Sequence, residues 1–148
     1  MFKTKLTAPR EQELRRYAEE CNESWRTVAA EYKAAKVAGH KLHFDPVRLI
    51  RAVGYARGIL HDDARDVMRE FDEGKAWVSN MYMLNRLPEE VLDLMHSSRP
   101  LPERLMVADA LAIVRSAPEH EYLARAENLI RGRTRQALIY IERMHHAA

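Results

Sequence analysis

Residues 63–91 read DARDVMREFDEGKAWVSNMYMLNRLPEEV, and the helical spacing of their apolar side chains is interrupted once, at Asp72-Glu73-Gly74. That interruption restricts the fold more than any other feature, because it demands two short amphipathic helices meeting at a tight turn. Asp63 is suited to cap the first helix, its carboxylate accepting from free N–H groups and facing the positive end of the dipole. Ala64, Val67, Met68 and Phe71 form that helix's inward face. Gly74 is expected to supply the backbone conformation that other residues resist. The second helix then starts at Lys75, with Val78, Met81, Tyr82 and Leu87 inward and Lys75, Ser79, Asn80, Met83 and Arg86 mainly on the other side. Leu87-Pro88 closes it, since proline disfavours helical geometry in the residue before it. The pattern is that of a helix-turn-helix.

The rest of the chain is read as helices separated by proline and glycine. Strand-like alternation is absent, and 47% of the 148 residues are hydrophobic, so the expected class is all-α with a core of useful size. One long helix is expected over residues 9–37, with Leu14, Ala18, Cys21, Trp25, Val28, Tyr32 and Ala35 on a stripe whose spacings alternate four and three. Such a stripe fits a coiled-coil seam or a face packed on the body of the protein. Ala, Cys and Tyr make a weak zipper, which favours packing within the chain. Residues 1–43 are therefore read as an N-terminal helical arm and residues 44–148 as the domain carrying the motif. Asp45-Pro46 opens the next helix, with Val47, Leu49, Ile50, Val53 and Ile59 inward. Short helices follow at 89–96, about 103–115, about 119–130 and about 134–145.

A formal charge of +2 gives no strong polyanion signal, so its distribution matters more. Arginines gather at 48, 51, 57, 65 and 69, and again at 125, 131, 133, 135 and 143. Cys21 is the one cysteine, which excludes an internal disulfide and is expected to be a small buried hydrophobe. No apolar run approaches the ~20 residues of a membrane span, and the N-terminus lacks a signal-peptide core, so a cytoplasmic, non-membrane protein is expected. Enzyme motifs are missing. His40 and His43, and His145 and His146, lack the Cys or carboxylate partners of a recognisable metal site. Asp62-Asp63 and Glu89-Glu90 stand at helix starts, where capping explains them. No phosphate-binding glycine loop or nucleophile motif appears. The expectation is a non-enzyme with no cofactor, no metal and no small-molecule substrate.

A helix that presents Lys, Ser, Asn and Arg outward suits a DNA major groove. Asn80 can pair with adenine through two hydrogen bonds, while Arg65 and Arg69, one turn apart, are placed to grip phosphates. The candidate DNA-binding set is Arg65, Arg69, Lys75, Trp77, Ser79, Asn80, Met83 and Arg86. Two roles stay open for Trp77: a wedge against a thymine methyl or sugar, or packing on the preceding helix. The competing reading is a helical adaptor for a protein partner, in which Trp77, Tyr82 and Met83 are surface anchors.

From Asp45-Pro46 to about Ile130 the chain resembles the central DNA-binding domain of the ParB and KorB partition proteins. The likeness rests on Trp77-Val78-Ser79-Asn80, then Leu84, then Leu87-Pro88-Glu89-Glu90-Val91, led by the helix from Pro46. It covers a little over half the chain and implies sequence-specific binding of double-stranded DNA, in a plasmid or chromosome partition role or as a transcriptional repressor. Two positions depart from the pattern: Asp72 replaces the turn's usual glycine, and Trp77 stands where a small hydroxyl residue is common. Residues 1–43 have no counterpart of the family's CTP-binding domain, and a separate C-terminal dimer domain is also missing, so the resemblance does not carry over CTP hydrolysis or clamp sliding. One module touches few base pairs, so specificity is expected to require a homodimer on a palindrome or a second DNA-binding partner. The first helix or the C-terminal helix could supply the dimer contact.

Overall fold

The computed structural model describes residues 6–21 and 23–146. Among them the regular structure is all-helical: α1 (Ala8–Cys21), α2 (Trp25–Val37), α3 (Pro46–Gly54), α4 (Ala64–Phe71), α5 (Lys75–Met83), α6 (Glu89–Asp93), α7 (Val107–Ser116) and α8 (Tyr122–His146). Helices α2 to α5 pack on one another, and α8 lies across α6 and α7. No described helix is long and apolar enough to cross a membrane.

The expected helix over residues 9–37 is two helices. Ser24 ends the continuity because its side chain accepts from the Arg26 N–H, and a serine making that bond has extended rather than helical backbone. The stripe divides accordingly. Leu14, Trp25, Val28 and Tyr32 are buried, whereas Cys21, at the end of α1, is exposed and is not the buried hydrophobe expected of it. Residues 25–32 share one apolar core with Val47, Ile50, Val53, Val67 and Phe71, so the stripe of α2 packs within the chain.

The start of α3 is as expected, with Asp45 accepting from the Val47 N–H and Pro46 in the first turn. After Gly54 the helix widens into a π turn over Tyr55–Ile59, and His61 then takes a positive φ of 55°. Ile59 is only half-buried there. Gly54 is a point of close approach, since a Cβ there would lie 2.5 Å from the buried Asn85 side chain. Asn85 follows α5 and uses its Nδ2 to donate to the carbonyls of Ile50 (2.9 Å) and Tyr82 (3.2 Å), tying α3 to the end of α5.

Arg10, 4% exposed, ties α1 to the same segment. Its guanidinium donates to the carbonyls of Asn85 (3.1 Å) and Leu87 and to Glu89 at 2.5 Å, and Arg51 meets the other Glu89 oxygen at 2.8 Å. Burial alone pushes the Glu89 carboxyl up, but the Glu13 hydrogen bond and the charges of Arg51 and Arg10 hold it below the usual range. Glu13 is pushed up, by burial and by that same bond to Glu89, so it is the partner that keeps its proton to higher pH.

The C-terminal half also differs from expectation. Helix α6 stops at Asp93 rather than near His96, and α7 begins at Val107 because Leu101–Glu103 forms a separate 3-10 turn. The two helices expected over 119–130 and 134–145 are one, α8, of 25 residues. Gly132 does not break it, having open space around it and no proline beside it.

The close contact at Gly54 gives a stability test. Gly54→Ala should cost about 1–3 kcal/mol, because neither the α3 backbone nor the hydrogen-bonded Asn85 amide can withdraw freely. Urea unfolding would show a lower midpoint at unchanged slope, and an unchanged midpoint would contradict the packing described.

Candidate nucleic-acid interface

The turn between α4 and α5 is built from the residues that made it conspicuous, but in a different arrangement. Asp72, not Gly74, takes the left-handed conformation, with φ 53° and ψ 51°, and closes α4. Aspartate tolerates that region better than most non-glycine residues. Gly74 is extended (φ −83°, ψ 173°) and begins α5 without contributing a side-chain cap. At the other end of α4, Asp63 caps as expected, accepting from the Arg65 N–H at 2.8 Å. Its neighbour Asp62 has a different use, accepting from the Trp25 indole at 3.0 Å.

Helix α2 holds this turn from behind. The Tyr32 hydroxyl donates to Glu73 at 3.0 Å, Lys36 reaches the same carboxylate at 3.0 Å and the Phe71 carbonyl at 3.3 Å, and Lys41 lies 3.3 Å from it. Lys36 also donates to the Asp72 carbonyl. Burial pushes the Glu73 carboxyl up, but hydrogen bonds from Lys36 and Tyr32 and the charges of Lys36 and Lys41 outweigh it and hold it below the usual range. Burial, and then Glu73, push the Tyr32 phenol up.

Trp77 belongs to the aromatic cluster beneath. Its ring stacks on Tyr32 at 5.5 Å between centroids and tilts against Phe71 at 5.2 Å. Of the two roles left open by the sequence, its place in the fold is the packing one. Met83 is likewise half-buried against the core, as is Tyr82. The remaining candidates are more accessible. Lys75 and Ser79 are exposed on α5 with Ala76 between them, Asn80 is half-exposed, and Arg86 is exposed just beyond the helix, 3.9 Å from Glu119. On α4, Arg65 is exposed, and Arg69, 70% exposed, pairs with Asp66 at 2.6 Å. Arg65, Met68, Arg69, Asp72, Glu73 and Gly74 line an open concavity beside the turn, which places the two arginines, together with two carboxylates, next to the start of α5.

Sequence reasoning missed Arg115. It projects from α7 and donates to the Asn80 Oδ1 at 2.7 Å, which directs the amide and adds a cation to the outward side of α5. Nothing local could reveal a partner thirty-five positions away. Conversely, part of the arginine cluster around the motif is engaged inside the fold. Arg48 pairs with Glu31 at 2.7 Å and with Glu23, Arg51 with Glu89, and Arg57 donates to the Asp62 carbonyl at 2.6 Å. Among the described residues no group of three or more His, Cys, Asp or Glu is placed to hold a metal ion.

Comparison with known proteins returned no matching family model, no matching curated protein and no matching solved structure.

The Glu73 clamp makes a pH prediction. A carboxyl whose folded pKa is depressed stabilises fully above its unfolded pKa, and that contribution is lost as pH falls through the folded value. Glu73→Gln, which keeps an acceptor for Tyr32 but removes the charge facing Lys36 and Lys41, should cost about 1–3 kcal/mol at neutral pH. The deficit relative to wild type should shrink on acidification below the ordinary glutamate range. Urea unfolding at both pH values checks it, and a deficit independent of pH would rule out the charge as its source.

Proposed function

We propose that this chain is a non-enzymatic, sequence-specific binder of double-stranded DNA, with α4 and α5 acting as a helix-turn-helix of the ParB and KorB kind in a partition or repressor protein. The observation that carries the reading is the outward side of α5: short and polar, bearing Lys75, Ser79 and the Asn80 amide directed by Arg115, with Arg86 beyond its end. Side chains of this length and chemistry suit base edges in a major groove. The first turn of α5 has no side-chain cap, so its N–H groups are available to a phosphate, as is usual where a helix begins against a nucleic-acid backbone. Arg65 and Arg69 stand on the adjoining concavity, which they share with Asp72 and Glu73, and their exposed guanidinium groups are the cations this side offers to phosphates.

The adaptor reading required Trp77, Tyr82 and Met83 as surface anchors. All three are packed against the core, which removes most of the apolar area such an interface would use and favours DNA as the partner of this face.

Selection of binding sites from random duplexes should enrich one motif, and enrichment of none would sink the proposal. Against the selected site, Asn80→Ala and Arg86→Ala should each lose about tenfold or more in specific affinity. Arg69→Ala should weaken binding to specific and unrelated DNA alike, and with a shallower salt dependence. Arg115→Ala should behave like a mild Asn80→Ala, losing discrimination at the same base pair. A gel-shift series in which Asn80→Ala, Arg86→Ala and Arg69→Ala all bind as wild type would remove the groove assignment.

A further inference from the structure

Among the described residues, the buried and core-packed positions of α8 lie in its first half. Tyr122 and Ala126 are buried, Leu123 and Ile130 pack against the core, and the last anchor is Arg133, which donates to the Arg104 carbonyl at 2.7 Å and pairs with Asp109 at 2.8 Å. Beyond it α8 continues for more than three turns, about 18 Å, with almost every residue exposed. The side of the helix that packs on the body does not become polar there. It continues through Thr134, Ala137, Ile141 and Met144, flanked by Leu138 and Tyr140, while Arg131, Arg135, Glu142 and Arg143 lie round the other side. Leu138, Tyr140, Ile141 and Met144 are 58%, 64%, 53% and 58% exposed. An apolar run of this length on a projecting helix is not a solvated surface.

We propose that this stripe is the seam of a homodimer, in which the C-terminal halves of two α8 helices pair antiparallel across a two-fold axis near Ile139. Side-chain size selects this arrangement. With the axis there, Ala137 faces the partner's Ile141 and Thr134 faces the partner's Met144, so each small residue meets a large one. Leu138 meets its own copy on one flank, and Tyr140 meets its own copy on the other. A parallel pair would instead set Ala137 against Ala137 and Thr134 against Thr134, leaving gaps that a close-packed seam does not tolerate. The patch is thus complementary to itself, which a two-fold interface requires. Four large side chains giving up roughly 100 Å² each, with Thr134 and Ala137 added, bring a pair to on the order of 1,000 Å², the lower bound for a specific interface. The pairing stands whether or not α5 meets DNA, and its test contains none.

Sedimentation equilibrium of the full chain at about 1 to 100 μM should give a mass twice that of one chain, with dissociation at the lower end. Ile141→Glu combined with Met144→Glu should halve the mass and leave the unfolding of the body unchanged, because both residues are already solvent-facing in the single chain. In a Cys21→Ser background, Leu138→Cys should form a disulfide-linked dimer on mild oxidation, whereas Met144→Cys should not. A wild-type chain that is monomeric at the highest concentration would overturn the proposal and leave the stripe to another protein or to a lipid surface. A dimer that survives the double glutamate variant would place the seam elsewhere. Cross-linking through position 144 and not 138 would overturn the antiparallel register.

Discussion

The carboxylate of Glu73 sits between the Tyr32 hydroxyl, Lys36 and Lys41, and the position of the outward side of α5 depends on it. A three-residue turn has little apolar area of its own to fix its angle, and its left-handed Asp72 is exposed. Helix α2 provides the constraint from outside the motif, through Tyr32 and Lys36 on the half-buried Glu73 carboxylate and two backbone carbonyls bound by Lys36. Underneath, Trp77 lies between Tyr32 and Phe71, so the same tyrosine ring that donates to Glu73 is also the surface on which the first turn of α5 rests. Polar and aromatic contacts thus converge on Tyr32, and rotation of α5 would disrupt both together.

A similar arrangement operates at the other end of α5. Arg10 and Asn85 are buried polar residues whose hydrogen bonds cross between α1, α3 and the segment leading into α6. Buried polar groups contribute modestly when satisfied and cost heavily when left alone, so their main effect is to exclude alternative packings. Helix α5 is therefore fixed at both ends by hydrogen bonds to helices earlier in the chain, leaving its middle to be held by Val78 and Met81. Such support behind a polar outer side is what the proposed base-reading role would require, because the direction of an amide such as Asn80 would be useful only if the backbone beneath it did not drift.

What the sequence disclosed follows from the range of the forces involved. The caps at Asp45 and Asp63, the inward faces of α3 and α4, and the break at residues 72–74 are local, set by residues within one turn of each other, and were legible. The interruption at Ser24 was overlooked because an apolar stripe crossed it without changing period, and side-chain capping competes with helix continuity independently of that stripe. The division expected between residues 130 and 134 is absent: α8 runs through Gly132, and a glycine in a helix costs only about 1 kcal/mol, which the neighbouring turns of α8 overcome. The left-handed conformation expected of Gly74 is taken by Asp72 instead, since both residue types can adopt that region and spacing alone does not choose between them. At the candidate interface, the residues on α4 and α5 could be named from helical spacing. Arg115, the burial of Trp77 and the internal pairing of Arg48 and Arg51 depend on contacts between distant segments, which periodicity does not encode.

The two halves of α8 show how one sequence period can serve two interfaces. From Tyr122 to Ile130 the stripe is covered by α6, α7 and the turn at Leu101–Glu103. From Leu138 to Met144 it has the same spacing and similar composition, and its large apolar side chains are exposed. Arg133 marks the change, because its guanidinium is the last group to bond back to the body. A helix whose first half is anchored so firmly delivers its second half as a rigid projection with little further ordering entropy to lose on association, since backbone order is already imposed from the anchored end. A pair formed there would hold two bodies apart at a distance set by the helix rather than by a flexible linker. The spacing of the two α5 helices would then be a property of the fold, and a DNA site read by both would have to present its half-sites at that one separation.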